Sequence, residues 1–100
     1  PDKTTNAMKV NAEYELRLWE GEMDVIMEQL SVTLKDTTYE LILSEQRTWQ
    51  RTRESQAIEV SRKHSGSALE SVEYTASLAE QTRSRVYELV EEYGQELESE

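Results

Sequence analysis

The chain has no cysteine and no phenylalanine, one proline, one histidine and three glycines. Each shortage removes a class of protein. Without cysteine there is no disulfide, no thiolate metal site and no thiol nucleophile, and composition assigns no redox compartment. The single histidine, His64, sits in the polar stretch RKHSGS, where solvent exposure is expected. A catalytic base needs partners within reach, and no spacing here supplies them. The sequence contains no H-x-x-x-H, no E-x-x-H, no EF-hand loop and no glycine-rich phosphate cradle. Catalytic residues, metal ligands and cofactors are therefore not expected. No apolar run approaches the roughly 18 residues that span a bilayer. The chain starts at Pro1, so the lack of a visible signal peptide assigns no compartment.

Basic residues are also scarce, 11 Lys and Arg against 21 Asp and Glu, for a net charge of −10. Phosphate contacts come from Lys and Arg, so nucleic acid and anionic membrane are poor candidates for the main partner. Such a charge steers the chain toward basic partners. The blander reading is that the acid keeps a small helical protein soluble.

What remains is rich in Glu, Leu, Gln, Arg and Ser, a composition suited to long helices with few connections. Residues 1–10 carry the only proline and read as a flexible lead-in. From Ala12 a stripe runs through Leu16, Trp19, Met23, Ile26 and Leu30 in alternating steps of four and three, the mark of a helix packed lengthwise on others. Gly21 interrupts it at a cost of about 1 kcal/mol relative to alanine, and is expected to admit a close neighbour. Asp36, Thr37 and Thr38 are N-cap types, with Glu40 at the capping-box distance from Thr37. Gly66 suits a helix C-terminus, and Ser65 or Ser67 the next N-cap. A third stripe follows: Leu69, Val72, Ala76, Ala79, Arg83, Val86, Val90, Tyr93 and Leu97.

The periodicity predicts an all-α fold with helices at about 11–34, 38–62 and 67–93 in one domain over 11–93, and an acidic frayed tail at 94–100. The architecture is an antiparallel three-helix bundle, or a long helical hairpin plus a third packed helix. Trp19, Met23, Met27, Tyr39 and Trp49 at helical spacing read as core.

The seams hold a puzzle. In the second helix Tyr39, Ile42, Gln46, Trp49 and Arg53 share a stripe, and two of the five are strongly polar. In the third, Arg83 lies between Ala79 and Val86. A buried guanidinium without a partner is very unfavourable. Levelling the helices puts Arg83 with Gln46 and with Glu20 or Asp24 in one polar layer. Arg53 falls in the next, one turn from Trp49 and close enough to stack on the indole. Such a layer sets helix register.

The same residues carry a family likeness. Gln46, Trp49, Arg53 and Glu54 resemble the A-Q-x-x-W-x-x-x-R-D core of the LprI-type lysozyme-inhibitor N-terminal domain, a group of small helical bacterial domains. Gly66 and Ser67 fall where that family has a Gly-Gly-Ser/Thr loop. Thr82, Arg83, Arg85, Glu88 and Leu89 match its T-R-x-R-x-x-E-L, and Glu20, Met23, Asp24 and Met27 stand in degenerate form for its D-x-x-L-N-x-x-Y. The likeness spans about residues 12–93. It departs at Glu54, at Met27, and near Ala57 and Ser77, where the family usually carries cysteines.

The resemblance implies a non-enzymatic protein-binding domain that is periplasmic, secreted or envelope-associated, with inhibition of a basic lysozyme as the activity of some relatives. Arg85 and Glu88 join the candidate residues through it. The alternative is a structural or self-associating helical module of a larger assembly, motivated by the unbroken spacing of the third stripe.

Overall fold

The computed structural model describes residues 3–98. Long helices follow from a sequence with neither proline nor β-branched runs inside its stripes: α1 (Lys3–Thr33), α2 (Asp36–Arg62) and α3 (Leu69–Glu98). They form an up-down-up three-helix bundle measuring 51 × 23 × 16 Å. The two outer helices, α1 and α2, each pack along α3 and barely touch one another. Among the described residues, no helix is long and apolar enough to cross a membrane.

The helix bounds differ from the periodicity in instructive ways. α1 begins at Lys3, well before the expected bound near residue 11. No glycine or proline interrupts Lys3–Val10, and Met8 extends the Ala12 stripe one step back to line a shallow groove with Val72 and Ala76 of α3. α2 starts at Asp36 with Lys35 as its N-cap and no side-chain capping bond. The Thr37–Glu40 capping box does not form, because Thr37 already lies inside the first turn. Asp36 instead puts its carboxylate at the positive end of the helix.

Between α2 and α3 the chain turns at Gly66, whose φ of 84° is open to glycine at little steric cost. The Leu69 N–H donates to Ser67 Oγ at 3.1 Å, and the Gly66 N–H donates to Glu70 Oε1 at 3.3 Å. Ser67 thus caps α3, with Glu70 reaching back to the turn. Near its far end α3 kinks at Tyr93 (φ −117°, ψ 26°) and then resumes through Gly94 to Glu98. The residues expected to fray therefore continue as helix, held by Leu97, which packs with Tyr93 on the core. Burial, with Glu92 and Glu45 nearby, raises the Tyr93 phenol above its ordinary pKa. Positions 1, 2, 99 and 100 of the expected lead-in and tail lie outside the described residues.

Met23, Ile26 and Leu30 of α1, Ile42 of α2, and Val86 and Leu89 of α3 form the buried core. Trp19, Met27, Tyr39 and Trp49 pack on it half-buried. Nearer the other end the buried residues are small, with Ala12, Ala57, Val72 and Ala79 in place of large side chains. Val90, which the third stripe assigns to the seam, is exposed, while Thr82 and Leu89 are buried. A central helix with a neighbour on either side buries two adjoining stripes, and a single periodic count merges them.

Candidate functional site

Because α1 and α2 rest on α3 and not on each other, an open cleft of about 430 Å³ remains between them. Its walls are Met23 and Met27 on α1 and Tyr39, Leu43 and Trp49 on α2. Thr82 of α3 also lines it. That is within the size range of ligand pockets, although the cleft is open along its length.

Polar side chains bridge the cleft at two levels. At the first, buried Gln46 donates through Nε2 to Met23 Sδ at 3.0 Å and accepts from Arg85 Nε at 2.6 Å. Arg85 also donates through Nη1 to Glu88 Oε1 at 3.1 Å, and its Nη2 lies 3.9 Å from Glu45 Oε1. At the second, Arg53 Nη1 donates to Glu20 Oε2 at 3.2 Å and to Thr82 Oγ1 at 2.9 Å. The Thr82 hydroxyl passes its own hydrogen to the Leu78 carbonyl at 2.7 Å. The Arg53 guanidinium stands 5.0 Å from the Trp49 ring, a cation–π distance. Each level therefore touches all three helices. Gln81 adds a further tie from α3, donating to the Arg53 carbonyl at 3.0 Å.

Of the candidate residues, Glu20, Gln46, Trp49 and Arg53 meet across the cleft, and Arg85 and Glu88 join them from α3. Asp24 lines the same cleft exposed and enters none of the ion pairs among the described residues. Arg83 makes no contact with Gln46 and faces the other way. It lies 4.8 Å over Tyr87 and 6.0 Å from Trp19, pairs with Glu80 at 3.6 Å, and is 44% exposed against 12% for Arg85. Two residues along a helix is a turn of about 200°, so Arg83 looks toward α1 and Arg85 toward α2. Tyr87, off the main stripe, meets Trp19 edge-on at 5.8 Å. Thr82, outside the polar layer that the seams predict, is a polar contact as well. Its signal was a hydroxyl one position before the seam, facing the other neighbour.

Two nitrogens, Arg53 Nε and Arg85 Nη2, are buried without a hydrogen-bond partner among the described residues. Gln46 spends an amide N–H on a thioether, a weak acceptor. The bridges thus keep unused donor capacity in and beneath the cleft. No group of three metal-ligating side chains occurs among the described residues.

Taken together, the bundle and its cross-bridged cleft describe a small helical domain organised around interhelical polar contacts. The family model for "Lysozyme inhibitor LprI" matches residues 1–89, and the chain belongs to that family. It is a member without cysteines. No curated protein and no solved structure matches it. The motif spacing acquires a physical meaning here, because Gln46 bonds Arg85 and Arg53 bonds Thr82. The W-x-x-x-R element of α2 and the T-R-x-R element of α3 are two halves of one contact.

Proposed function

We propose that this protein is a non-enzymatic, exported or envelope-associated domain that binds a basic lysozyme and inhibits it. The observation that carries the reading is the family match over residues 1–89. The net charge of −10 supports it, since a strongly acidic domain is drawn to a cationic partner over long range at low salt.

Within this reading the cleft between α1 and α2 is the contact face. Glu20 and Trp49 are already engaged by Arg53. Asp24, with Tyr39 in the same cleft, remains to take a lysine or arginine side chain from the partner. Lysis of a cell-wall suspension by lysozyme, followed with and without the purified domain at low salt, is the test. The domain slows lysis in proportion to its concentration, and undiminished lysis at large excess removes the proposal. Asp24→Lys separates the two parts: inhibition that survives it unchanged leaves the activity standing and moves the contact away from the cleft.

A further inference from the structure

The outward face of α1 carries a second apolar stripe, opposite the core. Val10, Tyr14, Leu18, Val25 and Val32 are 62%, 56%, 45%, 56% and 81% exposed. At 100° per residue all five fall within one quadrant of the helix, and Gly21 falls among them. Among the described residues nothing lies within 4 Å of the position a Gly21 Cβ would occupy, so none of them requires a glycine there. An exposed stripe of large apolar residues centred on a glycine that the monomer does not need marks a contact surface.

The stripe is nearly symmetric about that glycine. Val10 and Val32 each stand eleven residues from it, and Leu18 and Val25 stand three and four. We propose that a second copy of this chain packs on the face, α1 against α1, antiparallel, with Gly21 on the two-fold axis. Val10 then meets the partner's Val32, and Leu18 meets the partner's Val25. Tyr14 faces the partner's Glu28, with Arg17 one turn from that carboxylate. The missing Cβ lets the two backbones approach at the crossing.

Charge selects the antiparallel sense. Residues 3–19 hold Lys3, Lys9 and Arg17 against Glu13 and Glu15, for a net +1, whereas residues 20–33 hold four acids and no base. Parallel packing sets the acidic halves side by side, and antiparallel packing sets each against the other's weakly basic half. The strip is about 33 Å long and about 10 Å wide, well short of the roughly 800 Å² per partner of a standard interface. The dimer is therefore weak and reversible. It is independent of lysozyme binding and uses a different face of α1 from the cleft.

Sedimentation from micromolar to millimolar concentration tests it at physiological salt, where the excess negative charge is screened beyond about 8 Å. The mass of the wild type rises toward that of a dimer. Gly21→Leu and Val25→Lys, both at exposed positions, stay monomeric with unchanged helical circular dichroism. A wild type that remains monomeric at millimolar concentration overturns the proposal, as does association undiminished in both variants. The cysteine-free background adds a test of geometry. Under oxidation Gly21→Cys cross-links to itself, while Val10→Cys cross-links to Val32→Cys and not to itself. Self-cross-linking of Val10→Cys overturns the antiparallel arrangement.

Discussion

Arg85 donates its Nε hydrogen to Gln46 Oε1 over 2.6 Å, joining α3 to α2 beneath the cleft. Gln46 is buried and Arg85 nearly so, and burial sets what happens when either partner is lost. Arg85→Met leaves the Gln46 carbonyl without its charged donor, and Gln46→Leu leaves Arg85 Nε without an acceptor. Each single change lowers stability by about 1–3 kcal/mol, whereas the double variant, which removes both polar groups, recovers much of the loss. Chemical denaturation of the four proteins reads this directly, and additive losses would show that the two side chains are uncoupled.

Arg83→Met is the matching control. Arg83 is half exposed, its ion pair with Glu80 is a surface i,i+3 contact and the Tyr87 ring beneath it is itself exposed, so its removal costs about 1 kcal/mol. A loss equal to that of Arg85→Met would put the two arginines in equivalent roles, contrary to the geometry.

These two arginines also show how far the sequence was legible. Three helices, their up-down-up order and an interhelical role for Gln46 and Arg53 all follow from apolar spacing and the short connections. Which α3 arginine answers Gln46 does not follow, because α3 touches α1 with one stripe and α2 with the next. Periodicity finds the stripes and cannot say which neighbour each one meets. The α2 start differs from the periodicity for another reason: Thr37 and Glu40 have capping-box spacing, but with only Leu34 and Lys35 between helices the chain re-enters helix before Thr37. The far end of α3 shows tertiary contact overriding local preference, since Leu97 on the core keeps the helix going past Tyr93 and Gly94.

Arg53 donates from Nη1 to both Glu20 and Thr82 while its flat guanidinium lies over Trp49. Arg53→Lys keeps the charge and loses that geometry, lowering stability by about 1–2 kcal/mol. Trp49 fluorescence shifts as well, because the cation leaves the ring. Thermal unfolding indistinguishable from wild type would reduce the Arg53 contacts to incidental proximity.

The hydrogen bond from Gln81 to the Arg53 carbonyl registers α2 against α3. Four residues beyond it on each helix, in opposite chain directions, come Ala57 and Ser77, close to where the family resemblance implies a pair of cysteines. The pair Ala57→Cys with Ser77→Cys forms a disulfide under oxidation and adds roughly 3 kcal/mol of stability, lost again on reduction. Free-thiol titration and melting temperature with and without reductant measure both effects. Persistent free thiols under oxidation would place the two positions out of bonding range.

The raised pKa of Tyr93 has a signed consequence. Its folded form holds a proton that the unfolded form gives up near pH 10. Stability from this group is whole below that pH and is lost as pH rises toward the folded value. Tyr93→Phe cannot ionise, so its unfolding free energy falls less steeply than wild type above about pH 10. Parallel alkaline profiles for the two proteins would remove Tyr93 from the account.

The packing of α1 chiefly on α3, across the whole length of α2, also determines when the protein can acquire its structure. Of these three helices the first to be synthesised has its main partner in the third, so α1 must wait for α3. An α1–α2 fragment keeps the short connection but loses the surface on which both helices lie. The most extensive interhelical packing joins the two helices furthest apart in sequence, which slows folding relative to a bundle of sequential hairpins. Because α1 and α3 run parallel, loss of a few C-terminal turns would be felt at the far end of α1, around Leu30, as protease sensitivity there.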